Sequence, residues 1–410
     1  MKEKYLVINA GSSSLKFTLY SMPEAVEIVN GLIEKIGEGD SSYTLKFDNK
    51  KISNEEEINN HTEAVKVMLR ELLKNNCIES IDEIKGIGHR VLHGGELYSG
   101  SVLIDEEVMN NITNLIKLGP LHLPGEIAGI NSMIECLPDV PQVAVFDTAF
   151  HQTMPEESYM YPVPYSWYKE NGVRKYGFHG ISHKYITKVM QEKFNKQDVN
   201  LIVCHIGSGA SITAIKDGKS YDTTMGLTPL PGLVMGTRCG DIDPSIIEYI
   251  CKERNLTVTE VTNILNKESG LKGLSGKNDF RDVTDLALNG DSKAKLAIAL
   301  FERSVIKYIG QYYFELEGNL DAIVFTAGVG ENVSYVREDI INFISKPMGI
   351  EINKEMNDNI ARFKEHQTGI ISTDDSKVKV MVIPTDEEYM ILEDTYKICN
   401  YKKQKVKGLK

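Results

Sequence analysis

The sequence predicts an α/β protein made of two lobes of similar design. Three observations support this fold class. Apolar runs typical of strands alternate with helical patterns along the chain, one strand–turn–strand pattern occurs twice, and 410 residues are enough for two or three domains. A hydrophobic fraction of 41% and a charged fraction of 25% are ordinary for a globular protein.

The predicted elements follow one another in a regular order. Residues 4–20 read as a strand, a tight turn and a second strand, and residues 63–75 have the apolar spacing of a helix. Residues 142–147 (QVAVFD) form a buried strand that ends on an acid. A long amphipathic helix is predicted for residues 296–316, and the strand that opens 321–332 (DAIVFTAGVGEN) runs into glycines.

The turn in INAGSSSLKF (8–17) joins two strands through a glycine and three serines, and Lys16 follows it. LIVCHIGSGASITAIKDGK (201–219) repeats this layout about half a chain later. Small residues let backbone N–H groups approach phosphate oxygens, and hydroxyl groups add further donors. The pair of turns predicts two phosphate-binding loops, whereas either turn alone is more typical of an ordinary hairpin.

The overall charge restricts the classes of partner. A net charge of −12 argues against general binding to nucleic acids or membrane surfaces, which need a positive field. No apolar run approaches the ~20 residues that cross a membrane, and MKEKYLVINA lacks the apolar region of a signal peptide. The six cysteines show no C-x-x-C spacing, so neither a zinc site nor a disulfide framework is indicated. We therefore predict a cytoplasmic protein.

Three further stretches place a cation beside glycines: GHRVLHGGE (88–96), RKYGFHGISH (174–183) and GLVMGTRCGDIDP (232–244). An anionic substrate would need such locally basic sites, because the protein as a whole is acidic. FTAGVGEN (325–332) follows a predicted strand, but it matches neither the dinucleotide fingerprint nor the P-loop. These stretches also point to phosphate binding.

Taken together, the motifs resemble those of the acetate kinase family (acetokinases), which belongs to the superfamily of acetate and sugar kinases, Hsp70 and actin. The resemblance runs nearly end to end through INAGSSSLK, GHRVLHGGE, PLHLP, FDTAFHQTMP, YGFHGISH, HIGSGAS, DTTMGLTPLPGLVMGTRCGDIDP, FTAGVGEN and PTDEE. It implies two ribonuclease-H-like (actin-like) lobes with a central cleft and duplicated strand–turn–strand phosphate loops. The long motif at 222–244 is the most specific of the set.

The resemblance also implies domain limits, a reaction and partners. Residues 1–150 with 385–410 would form the first lobe, and residues 151–384 a second, nucleotide-binding lobe. The implied reaction is direct, reversible in-line phosphoryl transfer between ATP and acetate, which gives acetyl phosphate and ADP with Mg²⁺ (Mn²⁺ can substitute). A homodimer is implied, and nucleic acids and membranes are not expected as partners.

Phosphoryl transfer needs aligned reactants and neutralised phosphoryl oxygens. By resemblance, the planar forks of Arg90 and Arg238 would grip carboxylate or phosphate. His179 would donate to the transferring phosphoryl group, His122 would help to hold phosphate, and Asp147 would orient the substrate or the water shell of the metal. The substrate-binding residues implied for acetate are Arg90, Leu92, Leu121, Phe178 and Pro229.

The same resemblance assigns the residues around the nucleotide and its metal. Asn9 and Glu387 would bind Mg²⁺, which prefers hard oxygen ligands. The other nucleotide-binding residues fall into four stretches: Ser12, Ser14 and Lys16; His205, Ile206, Gly207, Ser208 and Gly209; Asp279, Phe280 and Arg281; and Gly328, Val329, Gly330, Glu331 and Asn332.

Some residues leave alternatives open. Ser208, Lys277 and Asn278 differ from the residues usual in the family, which leaves the phosphoryl donor open. The alternative function is a propionate-preferring or pyrophosphate-dependent acyl kinase of the same family. Leu92 stands where valine is common, and the larger side chain would favour acetate over propionate. Without the resemblance, His179 would be interpreted as a structural histidine. A nucleotide-switched binding module like actin or Hsp70 would leave the two arginines unexplained.

Cys239 directly follows Arg238 between glycines, where the family usually has serine. A neighbouring cation would lower the pKa of this thiol and make it the most reactive of the six cysteines. The alternative is a simple substitute for serine whose side chain is turned away from the site.

Overall fold

The computed structural model describes residues 3–360 and 368–407. The chain divides into two compact units: unit 1 comprises Met1–Gln152 and Asp386–Lys410, and unit 2 comprises Thr153–Thr385. The outer ends of the predicted first lobe, residues 1–2 and 408–410, lie outside the described residues. No helix in the described ranges is long and apolar enough to cross a membrane.

Strands and helices alternate along the chain, as expected for an α/β protein. The strands are β1 (Glu3–Ala10), β2 (Ser14–Met22), β3 (Val26–Glu34), β4 (Ser42–Phe47), β5 (Lys50–Glu55), β6 (Ile84–Val91), β7 (Val102–Leu103), β8 (Gln142–Phe146), β9 (Leu201–Ile206), β10 (Ala210–Lys216), β11 (Lys219–Thr223), β12 (Ala322–Thr326), β13 (Gly369–Ile370) and β14 (Lys379–Val382). The α-helices are α1 (His61–Lys74), α2 (Glu106–Asn114), α3 (Leu123–Cys136), α4 (Glu156–Tyr159), α5 (Tyr165–Asn171), α6 (Gly180–Phe194), α7 (Ser245–Arg254), α8 (Val258–Lys267), α9 (Gly270–Ser275), α10 (Phe280–Leu288), α11 (Ser292–Glu315), α12 (Ala327–Asn332), α13 (Ser334–Met348), α14 (Lys354–Ile360) and α15 (Glu387–Lys407).

Unit 1 is built on a mixed sheet with the strand order β5-β4-β3-β2-β1-β6-β8-β7. β1 to β5 pair antiparallel, whereas β6 runs parallel to both β1 and β8. Helices cover both faces of β1. Leu6 and Ile8 belong to the core formed with α1 and α3, whereas Tyr5, which points to the opposite face, contacts the Tyr396 ring of α15 at 5.3 Å.

Helix α15 lies very close to β6. A Cβ atom at Gly88 would come within 2.2 Å of Thr395 Oγ1 and 2.7 Å of Ile391 Cγ2. Only a residue without a side chain therefore allows this packing. The close approach fixes where α15, and with it Glu387 and Glu388 in its first turn, meets the sheet.

Unit 2 repeats the strand arrangement of unit 1. Its sheet has the order β11-β10-β9-β12-β14-β13. In each unit, three antiparallel strands in chain order (β1-β2-β3 and β9-β10-β11) are followed by two strands that run parallel to the first (β6 and β8, β12 and β14). The predicted duplication of the strand–turn–strand pattern is thus confirmed and extends to five strands of each sheet.

The glycines of FTAGVGEN lie in a short helix, α12, that begins directly after β12. Ala327 turns the chain with a φ of +66°, in the left-handed region that residues other than glycine seldom adopt. Its N–H donates to Glu331 Oε1 at 2.8 Å. The carboxylate therefore caps the sharp turn between strand and helix.

Candidate active site

The first Gly/Ser turn connects β1 to β2 in unit 1. Gly11 N donates to Ser14 O at 2.8 Å, which closes the turn and leaves Ser12 exposed. Helix α3 lies directly against the turn, because a Cβ atom at Gly125 would come within 2.8 Å of Ser12 N. The exposed backbone and hydroxyl groups of this turn are available to an anionic ligand.

Two predicted site residues stand on the strands that flank this turn. Asn9 on β1 is paired with Lys16 on β2. Lys16 Nζ lies 2.5 Å from Glu388 Oε1, and Thr18 Oγ1 donates to Glu388 Oε2 at 2.6 Å. Glu388 therefore balances the charge of Lys16 and ties the first turn of α15 to β2.

Arg90 lies near the carboxyl end of β6, and Asp147 directly follows the parallel neighbour β8. Because the carboxyl ends of parallel strands meet at one edge of a sheet, the two side chains are neighbours. Arg90 donates from Nη2 to Asp147 Oδ2 at 2.5 Å and from Nε to Asp147 Oδ1 at 3.3 Å. Glu387 Oε2 lies 4.0 Å from Arg90 Nε. Asp147 and then Glu387 raise the pKa of Arg90, against the effect of burial.

Glu126 is a second carboxyl group near Arg90, and it was not among the sequence-predicted site residues. It lies on α3, is 3% exposed, and its Oε2 accepts a hydrogen bond from Leu92 N at 2.9 Å. Burial raises its pKa to about 7, although the hydrogen bond and Arg90 act in the opposite direction. Its sequence signal is a carboxylate inside the otherwise apolar stretch LPGEIAGI.

The other predicted residues of unit 1 are divided between interior and surface. Leu92 is buried, with its side chain beside Gly119, whereas Leu121 is 57% exposed. His122 directly precedes α3 and is exposed. Within this unit, the two leucines predicted for the acyl pocket therefore do not share one buried wall.

In unit 2, two predicted catalytic side chains converge on the second Gly/Ser turn. The position that a Cβ atom of Gly209 would occupy lies 3.4 Å from Arg238 Nη1 and 3.5 Å from His179 Nε2. Burial lowers the pKa of Arg238 from its ordinary value. Because Gly209 has no side chain, a space remains that both the Arg238 guanidinium group and the His179 imidazole ring face.

The two remaining residues predicted to bind acetate, Phe178 and Pro229, also belong to this unit. Phe178, which precedes His179, is 1% exposed. Pro229 is half-buried, and its carbonyl oxygen accepts a hydrogen bond from Arg238 Nη1 at 3.3 Å. Pro229 therefore helps to orient the guanidinium group.

Three histidines and two serines form a polar cluster beside Gly209. His179 Nδ1 and His183 Nε2 each lie 2.9 Å from Ser211 Oγ. His205 Nδ1 lies 2.8 Å from Ser182 Oγ, and the rings of His179 and His205 stack with their centroids 4.2 Å apart. His179 has a φ of +57° at the residue before α6.

A cavity of about 370 Å³ in unit 2 brings together half of the predicted nucleotide-binding residues. This volume lies within the range of small-molecule sites. Eight of the predicted residues line it: Gly207, Ser208, Asp279, Phe280, Arg281, Gly328, Val329 and Asn332. Asn278, which differs from the residue usual in the family, also lines the cavity. Sequence reasoning did not assign five further lining residues to this site: Met235, Gly236, Leu271, Phe301 and Val333. The sequence could have indicated Met235 and Gly236, since they belong to the motif GLVMGTRCGDIDP (232–244).

The other predicted nucleotide-binding residues of this unit lie outside the lining. His205 and Ile206 end the buried strand β9, and Gly330 is buried in α12. Glu331 Oε1 accepts hydrogen bonds from Ala327 N at 2.8 Å and from Thr385 N at 3.2 Å. The Glu331 carboxylate thus supports the backbone beside the cavity.

Asp279 and Arg281 form an ion pair at the N-terminus of α10. Asp279 Oδ2 lies 2.7 Å from Arg281 Nη2, and Asp279 Oδ1 accepts from Arg281 N at 2.9 Å as the helix N-cap. These bonds lower the pKa of Asp279 to about 2. The Phe280 ring packs edge-on against Phe301 at 5.1 Å, which makes one apolar wall of the cavity.

The prediction of an activated thiol at Cys239 is wrong. Burial, followed by the nearby Asp241 carboxylate, raises the pKa of this thiol, although a hydrogen bond to backbone opposes the shift. Cys239 Sγ contacts Gly240 O at 3.1 Å, and Cys239 N donates to Leu265 O at 3.0 Å. Arg238 is adjacent in sequence, but its guanidinium group is directed to Pro229 and Met235.

A larger groove, of about 1390 Å³, lies in unit 1 and contains none of the predicted site residues. It is lined by the start of β6 at Ile84, the start of β8 at Gln142 and the end of α3. Ligands of parallel sheets bind beyond the carboxyl ends of the strands. The groove lies at the opposite end, away from Arg90 and Asp147.

Several known proteins resemble this chain over nearly its whole length. The sequence profile described as the Acetokinase family matches residues 4–393. The chain is 49% identical over 400 residues to the acetate kinase of Clostridium novyi, with 96% of this chain and 98% of that protein covered. It is 48% identical over 401 residues to the acetate kinase of an Exiguobacterium species, with 97% and 98% covered.

Solved structures agree with the sequence comparison. The acetate kinase of Porphyromonas gingivalis superposes with a TM-score of 0.91 at 41% identity, covering 97% of this chain and 99% of that one. A propionate kinase from Francisella tularensis superposes with a TM-score of 0.90 at 43% identity, covering 97% and 100%. The predicted α/β fold class is confirmed.

Proposed function

Because the chain is a member of the acetokinase family, we propose that it catalyses reversible phosphoryl transfer between ATP and acetate, which gives acetyl phosphate and ADP. The observation that carries the proposal is the convergence of His179 Nε2 and Arg238 Nη1 on Gly209. This point directly follows Gly207 and Ser208, which line the cavity. The names of the curated relatives support the same reaction.

The cavity of unit 2 would take the adenosine part of the nucleotide. Phe280 and Phe301 supply apolar surface, and Asp279, Arg281 and Asn332 supply polar groups at its edge. The terminal phosphate would then extend along the second Gly/Ser turn toward Gly209. There, Arg238 would neutralise the equatorial oxygens of the transferring group and His179 would donate a hydrogen bond to them, which is the main catalytic need of this reaction.

In unit 1, Arg90 would bind the carboxylate of acetate or a phosphoryl oxygen. Its fork is already oriented by the two hydrogen bonds to Asp147. The role that fits Asp147 is therefore to position Arg90. Ser12, Ser14, Lys16 and His122 would contribute further donors for phosphate.

A magnesium ion fits the chemistry of Glu387 and Asn9. Mg²⁺ is usually held by one or two carboxylates together with substrate phosphates and water. The described residues contain no group of three or more His, Cys, Asp or Glu side chains that could bind a metal by themselves. The partly exposed carboxylate of Glu387 and the amide oxygen of Asn9 would hold the ion, which would neutralise phosphate charge. Mn²⁺ would substitute for it.

The acid and the phosphoryl donor are the open parts of the proposal. The structural relatives include a propionate kinase, and Ser208 lines the cavity. The decisive experiment traps acyl phosphates as hydroxamates with acetate, propionate and butyrate, each with ATP, GTP and pyrophosphate. We expect acetate with MgATP to give the highest kcat/KM. Faster turnover with propionate or pyrophosphate would establish the alternative, and no acyl phosphate from any combination would reject the proposal.

A homodimer is proposed from the family resemblance. Sedimentation velocity should give about twice the chain mass of 45.9 kDa. A monomer at micromolar concentration would contradict this assignment. The cytoplasmic location stays a prediction.

A further inference from the structure

The hydroxyl group of Ser211 lies between two histidine rings of unit 2. Ser211 Oγ is 2.9 Å from His179 Nδ1 and 2.9 Å from His183 Nε2. Ser211 and His183 are both fully buried. The proposed mechanism uses His179 but assigns no role to the other two residues.

A serine hydroxyl has one proton, so between two ring nitrogens it donates to one and accepts from the other. Two proton arrangements exist when both rings are neutral. In the first, His183 Nε2–H donates to Ser211, and Ser211 donates to His179 Nδ1, so that the proton of His179 is on Nε2. In the second, His179 Nδ1–H donates to Ser211, and Ser211 donates to His183 Nε2. His179 Nε2 then carries only a lone pair.

The surroundings of His179 Nε2 distinguish the two arrangements. This nitrogen and Arg238 Nη1 lie 3.5 Å and 3.4 Å from the same point, the position of a Cβ atom on Gly209. Arginine can only donate, so this space suits an anion. A lone pair on His179 Nε2 would repel that anion, whereas an N–H group would give it a second donor.

We propose that His183 and Ser211 are positioning residues that keep the proton of neutral His179 on Nε2, so that this atom donates to the phosphoryl group. The proposal rests on the proposed function for the anion beside Nε2, whereas the tautomer itself is measured without substrate. The stacked ring of His205, 4.2 Å away, and the left-handed backbone of His179 fix the direction of the imidazole. Ser211 then couples the tautomer of His179 to that of His183.

The direct test is the tautomer of His179 in the full-length protein. Two-bond ¹H–¹⁵N correlation spectra of protein with ¹⁵N-labelled histidine distinguish protonated from unprotonated ring nitrogens, and the spectrum of His179→Gln identifies the signal of His179. We expect Nε2–H in the wild type without nucleotide. Ser211→Ala should give a mixture of the two tautomers.

Kinetics with matched variants separate proton positioning from a loss of packing. We expect Ser211→Ala to lower kcat by about 10- to 100-fold, the scale observed when the partner of a ligand histidine is removed, with KM for ATP nearly unchanged. The control is Thr213→Val. It deletes another buried hydroxyl on β10, whose Oγ1 lies 2.9 Å from Thr223 Oγ1. This control should keep the wild-type kcat.

The residue at 183 gives a second, independent comparison. His183→Gln keeps an N–H donor at about the right distance and should retain much more kcat than His183→Leu. A wild-type His179 with its proton on Nδ1, or a tautomer unchanged in Ser211→Ala, would overturn the inference. If the Nε2–H tautomer is found but no acyl phosphate forms, the proposed function fails, whereas the assignment of Ser211 and His183 as positioning residues stands.

Discussion

The guanidinium group of Arg90 is held by Asp147 through two hydrogen bonds, and these carboxylate contacts raise its pKa. It therefore remains a charged, oriented fork. We expect Arg90→Ala and Arg238→Ala each to lower kcat for acetyl phosphate formation by about 10³-fold or more, the scale of a transition-state arginine. Arg90→Lys keeps the charge but not the fork, and it should recover little activity.

A surface arginine provides the control for this pair. Arg70 binds Glu56 at 2.6 Å with nearly half of its side chain exposed. Arg70→Ala should keep the wild-type kcat, because its ion-pair partners, Glu56 and Glu71, are not among the candidate site residues. If Arg90→Ala or Arg238→Ala behaved like Arg70→Ala in the hydroxamate assay, the catalytic role of that arginine would be wrong.

Substrate choice is expected to depend on Leu92, which is buried and held through its backbone by Glu126. One methylene of difference in an apolar pocket is worth about 1–3 kcal/mol. Leu92→Ala should therefore narrow the preference for acetate over propionate in kcat/KM by roughly tenfold or more. Equal use of both acids by the wild type would refute this pocket argument.

Glu126 makes stability depend on pH. Its folded-state pKa of about 7 exceeds the ordinary 4.5, so the folded protein binds this proton more tightly than the unfolded chain. The contribution is fully present below about pH 4.5 and is lost as pH rises through 7. Glu126→Gln cannot ionise. From pH 5 to 8 it should gain about 1–3 kcal/mol of stability relative to the wild type.

Thermal unfolding of both proteins at pH 5, 6, 7 and 8 provides the measurement. Glu57→Gln changes an exposed carboxylate in the same unit and should follow the wild type at every pH. A constant difference between Glu126→Gln and the wild type would mean that Glu126 is already ionised at pH 5.

At the residue scale, the sequence could predict side chains whose chemistry is visible in a motif. Arg238 and His179 do meet at one point beside Gly209. Glu126 and Ser211 could not be found in this way, because their importance comes from burial and from neighbours distant in sequence. Cys239 illustrates the reverse error, since adjacency to Arg238 in sequence did not place the thiol near its charge.

At the scale of elements, the contact between β6 and α15 leaves no room for a side chain at Gly88. A methyl group at Gly88 would overlap Thr395 and Ile391, so α15 would have to shift. We expect Gly88→Ala to cost about 1–3 kcal/mol of stability through overpacking. Because α15 begins with Glu387, the same variant should also raise the Mg²⁺ concentration needed for half-maximal activity.

Two variants make this prediction specific. Gly310→Ala lies in α11, where nothing stands within 4 Å of an added Cβ atom, and it should stabilise the protein by up to about 1 kcal/mol. Adding Thr395→Ala to Gly88→Ala removes the closest clash and should restore part of the loss. Equal melting temperatures for Gly88→Ala and the wild type would show that α15 adapts without cost.

Element prediction from the sequence worked where a pattern was strictly local. The helix predicted at 63–75 is α1, His61–Lys74, and the one predicted at 296–316 is α11, Ser292–Glu315. Helix α12 was harder to foresee, because glycines normally weaken a helix. Its cap comes from Glu331, one turn later, and from a left-handed Ala327.

At the scale of the whole molecule, all residues that line the cavity proposed for the nucleotide belong to unit 2. ADP at 100 times its Kd should stabilise the state that binds it by about 2.7 kcal/mol. Calorimetry that resolves two unfolding transitions can assign them, because Gly88→Ala should lower the melting temperature of unit 1. ADP should raise the melting temperature of the other transition. A shift of the Gly88-sensitive transition alone would place the nucleotide in unit 1.

The repeated strand order of the two sheets was only partly visible in the sequence. Two Gly/Ser turns between strands indicated the first pair in each unit, since turn chemistry is local. The parallel strands β6, β8, β12 and β14 that complete the repeat are joined by connections of very different length. A comparison of the two halves of the sequence could therefore not match β6 and β8 with β12 and β14.

Unit 1 is assembled from both ends of the chain, and this has a consequence for synthesis on the ribosome. Residues 3–152 emerge before unit 2, but the helix that covers β1, β6 and β8 on the Tyr5 side is made only after unit 2. At about 5–20 residues per second, the 233 residues of Thr153–Thr385 delay it by roughly 12–47 s. For that time the nascent sheet carries an uncovered apolar face, which is a natural target for chaperones.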